Sequence, residues 1–207
     1  MLRLAAAVTA LAVALTGCVS SLAQPEQPMV SREEFEAIFP HHSPFYSYDG
    51  FIANTHFDSR RDAAAFLANV THETVGLTFI EERPGHRGVY CDADRAYGCP
   101  AGVNAYFGRG PLHLSWNYNY HDAGLMLGLD LLHDPGLVAR DEAVAWKTTM
   151  WFWNAHVPRG NFGMTIQAIN GAQECNGHGP EEMNSRVAAY RHITDLLDVP
   201  AGDGLTC

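Results

Sequence analysis

The spacing of apolar residues predicts a body made mainly of helices. Ala63, Phe66, Leu67 and Val70 recur every three or four residues within 60–75, which is the period of an amphipathic helix. Long stretches that alternate between apolar and polar residues are absent, so we expect at most a small β-ribbon, near 77–90 or 106–114. Further helices are predicted over residues 116–128, 142–155, 163–170 and 181–198.

Capping residues set the predicted ends of two helices. Ser31 and Glu34 stand at the spacing of a capping box, and Pro40 ends the short helix that follows them. Asp141 is the predicted N-cap of the helix over 142–155. The chain shows no internal repeat and no linker that divides its body, so we expect one catalytic or binding domain over residues 30–207.

The N-terminal residues have the pattern of an export signal. Residues 1–17 contain an apolar run that is too short to span a bilayer comfortably, which indicates a secretory signal peptide. The run ends in Leu-Thr-Gly before Cys18, which resembles the lipobox of bacterial lipoproteins and predicts lipidation of that cysteine. A plain signal peptide with an incidental cysteine is the alternative. Residues 18–29 are a predicted tether, so we expect an exported protein that is lipid-anchored at the envelope or secreted.

Composition and charge restrict the partners. Removal of residues 1–17 leaves 190 residues (207 − 17), enough for a sizeable core. The net charge is −10 and there is no block of basic residues, which argues against nucleic acid and anionic lipid as ligands. A neutral polysaccharide is a more suitable substrate for a chain of this charge. We expect a monomer whose only membrane contact is the lipid at Cys18.

The four remaining cysteines suggest disulfides, as is usual in an exported protein. Cys91 and Cys99 flank a short, turn-rich loop, which favours their pairing. Cys175 would then pair with Cys207 and fix the C-terminal tail. A zinc site that includes His86 is the alternative, although the chain has no CxxC pair.

Two glutamates in the stretch 67–85 are candidates for acid–base chemistry. Glu73 lies at the edge of an apolar helix face, where partial burial suits a carboxyl that must keep a proton. On one continuous helix Glu82 would point to the opposite face, so the helix must stop between them, and Gly76 is well placed to stop it. An ordinary solvated acidic turn is the alternative. A zinc-protease HExxH motif is excluded because Gly76 stands where the second histidine is required.

A second candidate segment covers residues 106–120, with the sequence YFGRGPLHLSWNYNY. Its glycines and proline predict a rigid turn, which is followed by aromatic residues that alternate with amides. Aromatic faces pack against the C–H side of sugars, and amides bind sugar hydroxyls. Core packing is the alternative for some of the aromatic residues.

Four segments together resemble glycoside hydrolase family 19, the chitinases of plants and bacteria, and most of all its shorter bacterial branch. They are FLANVTHET, YFGRGPLHLSWNYNY, AWKTTMWFWN and AINGAQECNG, and the resemblance runs in order over residues 30–207. It implies a mainly α, lysozyme-like, two-lobed fold with a central cleft. It also implies inverting, endo-acting hydrolysis of β-1,4-linked N-acetylglucosamine polymers without a metal or another cofactor.

The resemblance also implies roles for individual residues. Glu73 is the general acid, Glu82 is the general base with Glu81 left open as its neighbour, and Ser115 helps to hold the attacking water. Glu174 and Arg186 are implied to pair and organise the base side of the cleft, or to be a purely structural ion pair. The residues implied to bind or line the substrate site are His72, His113, Trp116, Tyr118, Asn119, Asn170, Glu174 and Arg186.

The chain departs from the family pattern at positions that affect substrate choice. Val75 replaces the first glycine after the HET motif, and His113 replaces the glutamine of the usual Ile-Gln-Leu. Two loops that build the ends of the cleft, including residues 49–61, look short, which suggests fewer sugar subsites or a more open groove. An endolysin-like peptidoglycan hydrolase is therefore the main alternative, and a non-catalytic saccharide-binding lipoprotein is the third.

Overall fold

The computed structural model of the chain describes residues 28–85 and 87–207. The predicted signal peptide, the lipidation site Cys18 and the tether up to residue 27 lie outside the described residues, as does His86. Lipid anchoring therefore stays a prediction.

The described residues form eight helices and no named strand. In place of the predicted β-ribbon, the described residues contain two isolated antiparallel bridges, Glu81 with Arg109 and Arg109 with Leu114. The prediction of a mainly helical body is confirmed. The helices are α1 (Arg32–Ile38), α2 (Tyr48–Asn54), α3 (Arg60–Thr74), α4 (Asn117–Leu127), α5 (Leu137–Arg140), α6 (Glu142–His156), α7 (Phe162–Glu174) and α8 (Pro180–Leu196).

Two predicted helix starts are confirmed by their cap geometry. The Glu34 backbone N–H donates to Ser31 Oγ at 3.2 Å and the Ser31 N–H donates to Glu34 Oε2 at 2.7 Å, which completes a capping box. Asp141 Oδ1 accepts from the Val144 N–H at 3.1 Å at the start of α6. These bonds satisfy N–H groups that the helices themselves leave unpaired.

Helix α2 was not predicted, because its start depends on a distant residue. Ser47 caps it locally by accepting from the Gly50 N–H at 2.9 Å. Glu142, the first residue of α6, in turn accepts from the Ser47 N–H at 2.5 Å and from its hydroxyl at 3.1 Å. A carboxylate from α6 therefore fixes the N-terminus of α2, where it also complements the helix dipole.

Helix α3 is the centre of the fold. It packs against α7 and α8 on one side, and α2, α4 and α5 pack on α6. Phe66 of α3 joins the two groups, because its ring lies 6.4 Å from that of Trp146 and 5.4 Å from that of Trp153, both on α6. All three side chains are buried, and burial of a phenylalanine alone stabilises a fold by about 1.5–3 kcal/mol. None of the helices in residues 28–85 and 87–207 has the length and apolarity needed to cross a membrane.

Both predicted disulfides are present and the zinc alternative is wrong, because all four sulfurs are used. Cys91 pairs with Cys99, with their Cα atoms 6.1 Å apart, and Cys175 pairs with Cys207, with theirs 5.1 Å apart. The second bond holds the C-terminal tail against α7. Gly163 of α7 is packed so closely on this tail that a Cβ atom would meet the Thr206 carbonyl.

The break after α3 lies one residue earlier than predicted. Helix α3 ends at Thr74, and Val75, Gly76 and Leu77 follow with φ values of 52°, 67° and 60°. Gly76 adopts this left-handed conformation freely, but a β-branched valine does so at a cost of about 1–2 kcal/mol. The turn persists because the Leu77 N–H donates to Thr74 Oγ1 at 2.8 Å and the Leu77 side chain is fully buried.

Candidate active site

A polar cleft of about 330 Å³ is lined by residues of α3, α4, α6 and α7 and of the segment 112–116, together with Glu82 and Tyr90. Seven residues predicted for the site line it: Glu73, Glu82, His113, Ser115, Trp116, Asn119 and Asn170. The other lining residues include four that had not been singled out: Tyr90, Thr149, Phe152 and Gln173.

Glu73 enters the cleft from the last turn of α3. Its Oε1 accepts from Arg186 Nη2 at 2.5 Å, and its Oε2 lies 4.0 Å from His113 Nδ1. The carboxyl side chain is 18% exposed, so it is shielded but reachable from the cleft. One oxygen is thus held by a cation, and the other faces an imidazole.

Arg186 of α8 is fully buried beneath this wall and holds three partners. It donates from Nε to Glu174 Oε2 and from Nη2 to Glu174 Oε1, both at 2.7 Å, and from Nη1 to Asn69 Oδ1 at 3.1 Å. The predicted pairing of Glu174 with Arg186 is confirmed. The pair was predicted to organise the base side of the cleft, but in the structure Arg186 contacts Glu73, the predicted acid.

Glu174 is 2% exposed and, like Arg186, lies under the cleft surface and not on it. Burial alone would raise the pKa of the Glu174 carboxyl, but hydrogen bonds and charge from Arg186 and a hydrogen bond from Asn170 hold it below its usual value. Asn170 Nδ2 donates to Glu174 Oε1 at 2.8 Å. The predicted role of Glu174 and Arg186 in binding substrate is therefore indirect, through Glu73 and Asn170.

Two other predicted residues do not line the cleft. His72 Nδ1 lies 3.1 Å from Ser185 Oγ on α8, and burial together with the charge of Arg186 lowers the pKa of this histidine. Tyr118 stacks on Trp116 with ring centroids 5.5 Å apart. It supports the tryptophan that does line the cleft.

Glu82 reaches the cleft from the connection that follows the turn after α3. Its Oε1 accepts from the Tyr90 hydroxyl at 3.0 Å, and its Oε2 accepts from the Gly108 N–H at 3.2 Å. Burial raises the pKa of the Tyr90 phenol, and its hydrogen bond to Glu82 raises it further. Neutral donors therefore hold Glu82, whereas a cation holds Glu73.

Glu81 points away from the cleft. It accepts from Arg109 Nε at 3.0 Å and from Arg87 Nη2 at 3.0 Å. Arg109 also donates to the carbonyl of Ala105 at 2.8 Å, so it braces the backbone before the glycine turn. Of the two adjacent glutamates, the structure brings Glu82 to the cleft.

The segment with Ser115 is fixed by its own backbone. Ser115 Oγ donates to the His113 carbonyl at 2.9 Å, and Asn119 Nδ2 donates to the Ser115 carbonyl at 2.8 Å. Gly108 is required opposite, because a Cβ atom there would lie 2.8 Å from His113 Cβ. A glycine in this turn therefore lets the serine segment approach the turn whose Gly108 N–H binds Glu82.

The missed residues differ in how well the sequence could have revealed them. Gln173 lies three residues after Asn170, but it falls beyond the predicted end of the helix at residue 170, so it was not considered with that face. Phe152 lies between two tryptophans on α6, and no sequence pattern distinguished it as a site residue. Tyr90 lies in no motif, and its contact with Glu82 follows from the path of the connection.

Two carboxylates thus line one open cleft from separate segments, beside a tryptophan and three amides. This is the arrangement of a glycoside hydrolase, in which one carboxyl protonates the leaving oxygen and the other acts on the opposite face of the sugar. Residues 29–160 match the Glyco_hydro_19 family model, described as chitinase class I. The chain belongs to glycoside hydrolase family 19.

Relatives support this assignment over most of the chain. The chain is 45% identical over 169 residues to an acidic endochitinase of Dioscorea japonica, covering 78% of this chain and 67% of the relative. It is 48% identical over 167 residues to endochitinase A of Zea mays, covering 78% of this chain and 59% of the relative. The chain thus spans about three fifths of the length of the curated relatives it matches.

Solved structures show the same fold. Chitinase C from Streptomyces griseus HUT6037 superposes with a TM-score of 0.82 at 43% identity, covering 88% of this chain and 99% of the other. The class IV family 19 chitinase from Zea mays gives 0.78 at 40% identity, covering 86% of this chain and 98% of the other. The expected mainly α, lysozyme-like fold is confirmed.

Proposed function

We propose that this protein is an inverting endo-chitinase that hydrolyses β-1,4-linked N-acetylglucosamine polymers. One observation carries the proposal: Glu73 and Glu82 line the same cleft, and their oxygens are held by different kinds of donors. Arg186 binds Glu73 at 2.5 Å, whereas Tyr90 and the Gly108 N–H bind Glu82. An acid and a base with distinct roles require two carboxyl groups in different surroundings.

In the proposed reaction Glu73 gives its proton to the glycosidic oxygen as the bond to the anomeric carbon breaks. A water attacks that carbon from the opposite face and gives a proton to Glu82, so the configuration inverts. Ser115 lies on the same cleft and can orient the water by hydrogen bonding. The products are two shorter sugar chains, and no group outside the chain is needed.

Glu73 must hold a proton although Arg186 touches it. A neighbouring guanidinium alone would favour the carboxylate. Glu174 opposes this effect, because its two bonds of 2.7 Å to Arg186 place a second carboxylate on the same cation. Arg186 fixes the orientation of Glu73.

The polymer is proposed to lie along the cleft against Trp116, with Asn119 and Asn170 binding its polar substituents. The exposed edge of Trp116 and its stacking on Tyr118 support an aromatic platform for a sugar ring. The side chains on this cleft are suited to a neutral sugar chain.

We further propose that the protein is exported and is either lipid-anchored at Cys18 or secreted. Two disulfides support an oxidising compartment outside the cytoplasm. Radiolabelled palmitate incorporation that disappears in Cys18→Ala would support the lipid anchor, and no incorporation by the native chain would exclude it.

Peptidoglycan is the second candidate substrate, favoured by one feature of the cleft. His113 lies in the lining at the position where the family usually has glutamine, so a contact to the substrate has changed. Peptidoglycan contains the same β-1,4-linked N-acetylglucosamine unit.

The test compares soluble chitin oligosaccharides with purified sacculi, using the exported protein and its Glu73→Gln variant. We expect the native protein to cut a chitin hexasaccharide at internal bonds and Glu73→Gln to lose this activity. Release of muropeptides with intact chitin oligosaccharides would instead establish the peptidoglycan hydrolase. Binding of either polymer without cleavage would contradict both enzymatic proposals.

A further inference from the structure

Glu82 lies outside any helix or strand, so neighbouring groups must fix its carboxyl. Its backbone N–H donates to the Gly108 carbonyl at 2.8 Å, and the Gly108 N–H donates to Glu82 Oε2 at 3.2 Å. Among the described residues the other oxygen, Oε1, has one hydrogen-bond donor, the Tyr90 hydroxyl at 3.0 Å. The orientation of the carboxyl therefore depends on the position of Tyr90.

The Tyr90 side chain is suited to act as a fixed donor. Its ring packs edge-on against Trp116, with the ring centroids 5.6 Å apart. Burial raises the pKa of the phenol, and its hydrogen bond to Glu82 raises it further, so the hydroxyl keeps its proton near neutral pH. The ring is thus held by packing, and the hydroxyl donates to a carboxylate.

Tyr90 stands directly before a loop that is closed by a disulfide. Cys91 and Cys99 are eight positions apart in sequence, and their Cα atoms are 6.1 Å apart. Residues 90–99 lie in no helix or strand. Loops of this kind are usually the more mobile parts of a fold, so the covalent closure beside Tyr90 restricts a segment that would otherwise be free to move.

A fully buried amide holds both ends of this loop. Asn117, the first residue of α4, accepts from the Asp92 N–H at 2.9 Å with Oδ1. Its Nδ2 donates to the carbonyls of Asp92 at 3.0 Å and Gly98 at 2.8 Å, which uses both amide hydrogens. Its backbone N–H donates to the Tyr90 carbonyl at 3.0 Å. Tyr90 and the loop are therefore tied to the start of α4.

We propose that Tyr90 is a positioning residue for Glu82, and that the disulfide-closed loop and Asn117 hold Tyr90 in place for this task. The inference rests on the proposed function, because it treats Glu82 as the general base. The base must lie within hydrogen-bond reach of the attacking water as that water meets the anomeric carbon. A carboxyl held at one oxygen alone can turn out of this position, and turnover then falls.

The first test compares the kinetics of the native protein and Tyr90→Phe on a soluble chitin oligosaccharide. Phenylalanine keeps the ring on Trp116 and removes the hydroxyl. We expect kcat to fall about tenfold or more, the effect of a hydrogen bond to a charged group, while KM stays native. Tyr97→Phe is the matched control in the same loop, because its ring stacks on His121 and does not line the cleft. A native kcat in Tyr90→Phe would overturn the proposal.

The second test separates an action through Glu82 from a direct contact with the sugar. In a Glu82→Ala background Tyr90→Phe should change the residual turnover by less than about twofold, since the group that Tyr90 positions is gone. Calorimetry with a chitin hexasaccharide on Glu73→Gln, with and without Tyr90→Phe, should give Kd values within about twofold of each other. Weaker binding, or an equal loss of turnover in both backgrounds, would mean that Tyr90 acts on the substrate itself.

The part given to the loop has its own comparison. Cys91→Ser/Cys99→Ser should lower kcat in the native background and have little further effect in Tyr90→Phe. Asn117→Asp, which keeps the disulfide and loses both bonds donated by Nδ2, should behave in the same way if the cysteine variant does not fold. Equal losses in the two backgrounds would show that the loop does not act through Tyr90. Circular dichroism and thermal unfolding establish that each variant is folded.

The last test does not depend on activity. Crystal structures of the native protein and Tyr90→Phe, both without substrate, show where the Glu82 carboxyl lies. We expect it to leave its native position or to occupy two positions in Tyr90→Phe, and an unchanged carboxyl would contradict the positioning role. A native protein without chitinase activity would contradict the proposed function, and the crystal structures would still decide whether Tyr90 orients Glu82.

Discussion

Arg186 and Glu73 are 113 residues apart in the chain, yet Arg186 Nη2 lies 2.5 Å from Glu73 Oε1. The contact exists because α8 packs along α3, which brings a fully buried guanidinium under the last turn of the helix that carries Glu73. The orientation of one proposed catalytic carboxyl is therefore set by the packing of the C-terminal helix.

Replacement of Arg186 should damage both stability and turnover. Arg186→Gln leaves Glu174 buried without its cation, a change that typically costs about 3–5 kcal/mol. Urea denaturation measures this loss, and we expect turnover of chitin oligosaccharides to fall at least about tenfold, the effect of about 1.4 kcal/mol on the barrier. Arg159→Gln is the control, because Arg159 is 40% exposed and its surface pairs contribute about 0–1 kcal/mol. Equal stability of the two variants would contradict the role given to Arg186.

The lowered pKa of Glu174 predicts acid sensitivity of the fold. The folded state binds its proton less readily than the unfolded chain, whose carboxyl titrates near 4.5. The stabilisation from this group is complete above that pH and is lost as the pH falls through the lower folded pKa. Free energies of unfolding measured between pH 6 and pH 3 should therefore fall less steeply in Glu174→Gln than in the native protein. Parallel slopes would show that Glu174 contributes nothing to the acid transition.

His72 and His113 add to this acid sensitivity at higher pH. Burial lowers the pKa of both imidazoles from the ordinary value of 6.5. At pH values below 6.5 the unfolded chain therefore binds more protons than the folded state. Stability should therefore begin to fall as the pH drops below about 6.5. His113→Gln should flatten this part of the curve, and an unchanged curve would contradict the burial argument.

Val75 should destabilise the turn in which it lies. Its φ of 52° lies in the left-handed region, and the side chain is 64% exposed, so little packing offsets the strain. Val75→Gly should stabilise the protein by about 1 kcal/mol in thermal or urea unfolding. Gly76→Ala is the matched control: its φ is 67°, and a Cβ there would meet nothing within 4 Å, so its expected loss of about 1 kcal/mol is conformational. A destabilised Val75→Gly would show that the valine side chain makes a contact that outweighs the strain.

The two adjacent glutamates should behave differently. Glu82→Gln removes the proposed base and should lower turnover by about 10²–10⁴-fold with little change in stability. Glu81→Gln should keep turnover within a few-fold of native, and it should destabilise the protein because the buried Arg109 loses a partner. Kinetics and urea unfolding of both variants separate these effects. Retained turnover in Glu82→Gln together with loss in Glu81→Gln would reverse the assignment.

Local signals predicted much of the fold. The capping residues Ser31 and Asp141 set their helix starts by hydrogen bonds within four residues, so the sequence alone revealed them. Helix α2 escaped prediction because Glu142 secures its start from far along the chain. Helix α7 extends to Glu174, past the predicted end at 170, because the chain continues through a distortion at Asn170, with φ −146° and ψ 31°.

Candidate site residues were predicted where a motif surrounds them. The resemblance supplied Glu73 and Glu82, but adjacent glutamates left the choice of base open until the Arg109 contact of Glu81 was known. The side of the cleft served by Arg186 could not follow from sequence order, because it depends on how α8 packs on α3. Tyr90 was missed because its contact with Glu82 depends on the path of the connection after α3.

The central claim is that Glu73 and Glu82 act on opposite faces of the sugar. The most direct measurement is proton NMR of the anomeric signals during the first minutes of hydrolysis of a chitin hexasaccharide, before mutarotation mixes the products. We expect the new reducing ends to appear first as the α-anomer. Initial β-anomer would mean retention of configuration and would contradict the proposed mechanism.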